Sequence, residues 1–378
     1  MSKSLETQRI IKGLRRFSGH SVALTMLHNL QIQKLLVKAS AVQSPYDRIK
    51  MVKEAVSIAD VHNDIERGFD LRRELIILEK GTSSSIESFP AFTWMLEAQS
   101  QHPDLFGDKD LILQYKWMVH AAMRNAEVSA TQLESIMEDY KIRLERNGFT
   151  LHSYYSARTH QAFMMNELDA AREYLVLRGG EKRDDLSFCE ACEISDLVEY
   201  EFMTNNIKRA FRVGVDLFSG KSYCKYIPFQ TICNSLNILQ SNGYEHDAAS
   251  LFEVADNELE RMKNSDMSNI GYVGQLLHYL IGIDKERAWE YFERYVAWSI
   301  DCEDYFGFRF GSGALSLFKG SGARRLNVTS ALPWHNSKGI YELPELYDYY
   351  KNQATALAMK FDARNGGSSF INELNNKM

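Results

Sequence analysis

Residues 243–255 read GYEHDAASLFEVA, and this stretch sets the fold. A glycine opens it, polar residues lead into a helix, and Ala248 is followed four positions later by Phe252 and then by Ala255. A small residue lets one helix approach another closely, and the large residue one turn later fills the space behind it. The arrangement recurs at NELDAAREYL around Ala171, NNIKRAFRVG around Ala210 and IDKERAWEYF around Ala288, at intervals of 39, 38 and 40 residues. The positions four residues on are Leu175, Gly214, Phe252 and Phe292, three of them large and apolar. Looser copies lie upstream at QLESIMEDY (Leu133, Met137), AFTWMLEA (Ala91, Met95) and MVKEAVSIA (Val52, Val56). The anchors 52, 91, 133, 171, 210, 248 and 288 are thus spaced 38 to 42 residues apart.

A fixed period of this length is the mark of stacked supersecondary units. Gly243, Ala248, Phe252 and Ala255 fall at the turn glycine, small, aromatic and small positions of tetratricopeptide repeats, and MMNELDAAREYL matches the same turn and second helix through Met165, Asn166, Ala171 and Leu175. Over roughly residues 45–300 the chain resembles a divergent tetratricopeptide-repeat-like (TPR-like) helical protein. Its units are longer than the family's, which are about 34 residues, and its first-helix Trp and Gly-Tyr positions are poorly kept. The resemblance implies an all-α, right-handed α-solenoid of about seven antiparallel helix pairs with atypical helical ends. It also implies a concave groove, lined by the first helix of each pair, that grips another protein or a peptide.

The first helices carry the complementary stripe. In LILQYKWMVHAAM, Leu111, Tyr115, Met118, Val119 and Ala122 share one helical face. Helix boundaries are expected at Ser44-Pro45, at capping boxes Ser129/Gln132 and Ser187/Glu190, and at Leu343-Pro344-Glu345. Three regions follow: residues 1–44, two helices forming an N-terminal cap or basic arm; the repeats, 45–302; and a C-terminal capping segment, 303–378. The last contains an ordered loop or extended stretch before a long helix near 344–363 and a short tail helix.

The 378 residues include 45% hydrophobic and 25% charged residues and only six prolines. No run of about 18 apolar residues occurs, and MSKSLETQRI has no apolar signal-peptide core, so a cytoplasmic protein without a membrane role is expected. The net charge is −6, but residues 1–53 hold ten Lys or Arg against Glu6 and Asp47, near +8, leaving the remainder near −14. A basic arm of this kind is a candidate nucleic-acid contact, although basic residues also commonly solvate the outer face of a first helix.

The motifs that carry chemistry elsewhere are weak here. Five cysteines, an odd number and widely scattered, do not form a disulfide framework. Cys189-Glu-Ala-Cys192 has the spacing of half a zinc site or a redox pair, but no second CxxC or HxxxH follows, so both thiols are expected on a buried helix face. GSGALSLFKGSGARR, with Lys319, Arg324 and Arg325, lacks the GxxxxGK[ST] order of a phosphate cradle and reads as tight helix packing and a turn. Ten histidines are dispersed, Asp184-Asp185 reads as a solvated turn, and Asp362 with Arg364 in KFDARNGG is expected to tie a helix-ending turn at Asn365-Gly366. No catalytic residue, cofactor or metal is therefore assigned.

The function expected is a protein- or peptide-binding scaffold working through the concave faces of helices near 111–122, 152–165, 189–203 and 229–241. The candidate partner-binding residues are Tyr115, His160 and Tyr200 on those helices, with Trp334, His335 and Tyr341 in an aromatic C-terminal segment that also holds Tyr347, Tyr349 and Tyr350. The alternatives are a peptide-responsive regulator, similar in architecture to bacterial quorum-sensing receptors built on such repeats, and an enzyme or nucleic-acid binder acting through the basic N-terminus.

Overall fold

The computed structural model describes residues 19–378 except 263–265, with side chains from residue 27 onward; the first of the two helices expected in residues 1–44 lies outside the described residues. The chain is mostly helical. It runs through α1 (Gly19–Ala41), α2 (Pro45–Val61), α3 (Ile65–Glu79), α4 (Ser88–Gln101), α5 (Ile112–Arg124), α6 (Ala130–Arg146), α7 (His152–Met165), α8 (Leu168–Gly180) and α9 (Glu190–Met203). There follow α10 (Ile207–Val213), α11 (Val215–Phe218), α12 (Phe229–Ser241), α13 (Glu245–Met262), α14 (Ile270–Ile281), α15 (Lys285–Tyr295) and α16 (Asp304–Ala314). A short antiparallel pair, β1 (Ala323–Arg325) with β2 (Ile340–Glu342), precedes α17 (Leu343–Asn365) and α18 (Ser369–Lys377).

The anchors of the sequence period fall on α2, α4, α6, α8, α10, α13 and α15, and each of these helices packs on the one before it. Val52, Ala91, Leu133, Ala171, Ala210, Ala248 and Ala288 are all buried, as are Met95, Met137, Leu175, Phe252 and Phe292 one turn later. Such packing is compatible with a helical repeat. The exception at Gly214 has a steric cause: α10 stops there, and a Cβ would lie 2.6 Å from Phe218 and 2.8 Å from Val198. Phe218 occupies the space that a large residue takes elsewhere. The alternate helices stack on one another, α5 on α7 and α9 through α12 and α14 to α16.

Helix ends follow local chemistry. The Ser44 hydroxyl accepts from the Asp47 N–H at 3.3 Å, and Ser129 and Gln132 cap reciprocally at 3.2 and 2.9 Å. The box expected at Ser187/Glu190 does not form. Cys189 is the N-cap of α9, and the Ser187 hydroxyl accepts instead from the Asp184 N–H at 3.0 Å. Asp184 is not simply solvated either, because its carboxylate accepts from the backbone and hydroxyl of Thr150 at 2.8 and 2.9 Å.

The glycine-rich stretch divides in two. Gly313 on α16 meets Gly274 on α14 so closely that a Cβ on Gly313 would lie 2.0 Å from the Gly274 carbonyl oxygen. Gly320 and Gly322 then turn the chain with φ of 126° and 110°, values that favour glycine. Arg324 is not free for an anion: it pairs with Glu286 at 2.6 Å and covers the Trp289 ring.

The C-terminal segment does more than cover the last pair. Asp362 and Arg364 do not bond each other. Asp362 accepts from the Phe370 and Ile371 N–H groups at 3.0 and 2.9 Å, capping α18, while Arg364 crosses to the Met123 and Asn125 carbonyls at 2.8 and 3.1 Å. Four further contacts join the later part of the chain to the α3–α4 loop and the end of α5. The Ser83 hydroxyl donates to the Trp298 carbonyl at 2.7 Å and the Ser83 carbonyl accepts from the Glu303 N–H at 2.8 Å; Arg124 pairs with Glu303; and Asp304 accepts from the Ala126 N–H at 2.8 Å. The helical array therefore closes on itself, with α16 and α17 against α5.

Candidate functional site

Closure leaves a cavity of about 240 Å³ between α5, α7, α9, α12, α14 and α16. Its lining comes from polar residues spaced three or four apart on otherwise apolar helices, a spacing that puts them on one face. Thus α5 supplies His120 and Arg124, α7 His160 with Phe163 and Met164, α9 Asp196 and Glu199, α12 Gln230 and Asn234, and α16 Tyr305 and Arg309.

Two hydrogen-bonded groups lie side by side along it, joined through Asp196 and Glu199, which share one face of α9. In the first, Asp196 accepts from His160 at 2.8 Å and from Arg178. Burial alone raises the Asp196 pKa, but the His160 and Arg178 partners more than offset this and hold the carboxyl below its ordinary range. In the second, Arg309 donates to Asn234 Oδ1 at 2.8 Å, and Asn234 Nδ2 donates to Glu199 at 3.0 Å. Burial raises the Glu199 pKa, and the Arg309 field only partly opposes it. Arg309 also packs over the Tyr272 and Tyr305 rings, and the Gln275 amide, oriented to accept, takes its Nε–H at 3.2 Å.

Beside the first group sits His120, 5.2 Å from the His160 ring and edge-on to Phe188. Its Nε2 is shut off from solvent with no hydrogen-bond partner. Burial, with His160 and then Arg124 adding positive charge, pushes its pKa well down, so the ring is neutral near pH 7.

Comparison with family models, curated proteins and solved structures returned no match. No helix among the described residues is long and apolar enough to cross a membrane.

Of the candidate partner-binding residues named from the sequence, His160 lines the cavity and the others lie elsewhere. Tyr115 is buried in the core, its hydroxyl donating to Asp139 at 2.6 Å. Tyr200 is half-buried on α9 away from the lining. Trp334 donates to the Tyr350 hydroxyl at 3.2 Å and stacks on Phe292, with Tyr341 edge-on to it, so these rings pack the C-terminal segment onto α15. His335 is half-buried in the adjoining loop, its N–H bonded to the Leu332 carbonyl. The four helices named from the sequence do all contribute to the cavity. The residues missed were His120, Asp196, Glu199 and Arg309. The signal available for them was a charge at helical spacing within an apolar face, plainest for Arg309 in YFGFRFG.

The thiols also depart from expectation. Cys189 and Cys192 are not a buried pair on a helix face: Cys189 is exposed at the N-cap of α9 and Cys192 is half-buried on the cavity wall. Cys224, from the loop before α12, joins them, so that the three sulfurs lie within 4.8 Å of one another.

Proposed function

We propose that this chain is a peptide-responsive regulatory protein, built as a right-handed TPR-like superhelix of about seven helix pairs, that takes part of its ligand into this cavity. The carrying observation is the pairing of that cavity with the clasp beside it. Arg124 and Phe306 line the cavity, while Arg124 also pairs with Glu303 and so joins α5 to α16. A ligand that bears on the wall therefore bears on the closure, which is the differential contact a switch needs.

Size separates this reading from a static scaffold. Pockets for drug-sized ligands run to about 300–1,000 Å³; a cavity of about 240 Å³ holds a side chain or a chain end, not a long extended segment. The cationic and anionic side chains that line it, with aromatic rings beside them, suit the polar backbone and terminus of a peptide. An enzymatic reading has less to rest on, because the hydroxyl nearest in sequence to the His160–Asp196 pair, that of Ser195, bonds Thr231 at 2.6 Å rather than a histidine.

The test is to titrate the full chain against short synthetic peptides by fluorescence anisotropy and to record solution scattering with and without the best binder. Binding that changes the radius of gyration and is lost in Arg309→Met and Asp196→Asn is the expected result. No binder in a diverse library, or binding indifferent to both substitutions, overturns it.

A further inference from the structure

The thiol cluster has features that neither core packing nor a ligand cavity requires. Cys189 and Cys192 Sγ are 3.0 Å apart, Cys192 and Cys224 Sγ are 3.7 Å apart, and no pair exceeds 4.8 Å. A cation bound at about 2.3 Å to each of several thiolates spaces the sulfurs roughly 3.8 Å apart in tetrahedral geometry. The Cys192–Cys224 separation matches that value, and the Cys189–Cys192 separation is shorter.

The backbone is arranged to receive thiolates. The Cys192 N–H points to Cys189 Sγ at 3.4 Å in the first turn of α9, where the helix dipole also favours negative charge. The Tyr226 and Ile227 backbone amides beside Cys224 favour its thiolate form, and the Cys224 N–H donates to the Ile227 carbonyl at 3.0 Å. Each segment thus places backbone amides beside sulfur, the outer-shell support that metal-bound thiolates use. Charges of both signs surround the cluster: Lys80 and Lys116 both feel the field of Cys192, Glu190 and Glu193 follow the two α9 thiols in sequence, and Lys225, next to Cys224, pairs with Asp266. Three thiolates on a divalent cation leave a net charge of about −1, toward which Lys80 and Lys116 supply positive charge.

We propose that Cys189, Cys192 and Cys224 together bind one thiophilic closed-shell cation, zinc(II), with a fourth position filled by a ligand from outside this set. The site is assembled from the start of α9 and the loop before α12, 32 residues apart in sequence, so that bound metal ties two consecutive helix pairs together. Since Cys192 also lines the cavity, the metal sits at its wall. Cys233 and Cys302 take no part; burial raises both thiols, that of Cys302 to about 12.

The experiment is metal analysis of the full chain purified under reducing conditions, followed by titration of the metal-free protein with cobalt(II). One equivalent of zinc, and a thiolate-to-cobalt charge-transfer band that saturates at one equivalent and is bleached by zinc, is expected. C189S, at an exposed position, and C224S should each lose the band while keeping the native circular dichroism, and C302S should retain it in full. Folded protein that gives no band overturns the proposal. So does a band that survives in C224S, which would mean a two-thiol contact only, or loss of two titratable thiols to a Cys189–Cys192 disulfide in protein that binds no metal.

Discussion

Gly274 and Gly313 show how much one missing methyl group decides. Where α14 crosses α16, a Cβ on Gly274 would lie 2.4 Å from the Arg309 carbonyl oxygen, and one on Gly313 is worse placed still. The obstacle is backbone on both sides, so no side-chain rotation relieves it. Gly274→Ala and Gly313→Ala should each destabilise the protein by about 3 kcal/mol or more, read from urea unfolding. Gly179, in the last turn of α8 with nothing within 4 Å of its Cβ position, offers the contrast. Gly179→Ala should raise stability by roughly 0.5–1 kcal/mol, through helix propensity and the reduced freedom of the unfolded chain. Equal effects in the two helices would refute the steric account. The sequence indicated tight packing in GSGALS, but not that its partner is the glycine of another helix 39 residues earlier, because composition carries no information about which backbone lies opposite.

Among the elements, the anchor helices were legible and the site-bearing faces were not. A small residue followed one turn later by a large one is a local rule of helix packing, so it survives in sequence and locates α8, α13 and α15 without any tertiary knowledge. Ser129 and Gln132 were readable for the same reason, since a capping box spans four residues. The cavity residues His120, Asp196, Glu199 and Arg309 come from three helices, α5, α9 and α16, and only the fold brings them together. Cys224 escaped notice because it follows Cys192 at no recognised ligand spacing. A comparison within this class of element checks the packing argument: Phe292→Ala, which empties a fully buried site among Phe310, Phe318, Trp334 and Tyr350, should cost about 4 kcal/mol. Ser129→Ala, which removes one exposed cap, should cost about 1 kcal/mol. Denaturant midpoints at unchanged slope measure both, and a smaller loss at Phe292 than at Ser129 would contradict the assignment of α15 to the core.

For the molecule as a whole, the contacts that matter most are those between distant parts of the chain. Ser83 with Trp298 and Glu303, Arg124 with Glu303, and Arg364 with the end of α5 each span from about 180 to about 240 residues of sequence. None of them is visible to a reading by periodicity, which sees neighbours only. A linear stack of helix pairs is stabilised by nearest-neighbour interfaces and melts from its free ends, one unit after another. Joining α16 and α17 to α5 changes that boundary condition: a pair inside the closed part cannot leave without breaking an interface on each side, so the array should unfold as one body. Replacing Arg124 and Glu303 together by alanine removes the ion pair without stranding either charge. Hydrogen exchange in the native protein should then pass from near-uniform protection between α5 and α17 to a gradient that falls away toward α17. The clasp, on this view, is what turns a string of small units into a single thermodynamic domain.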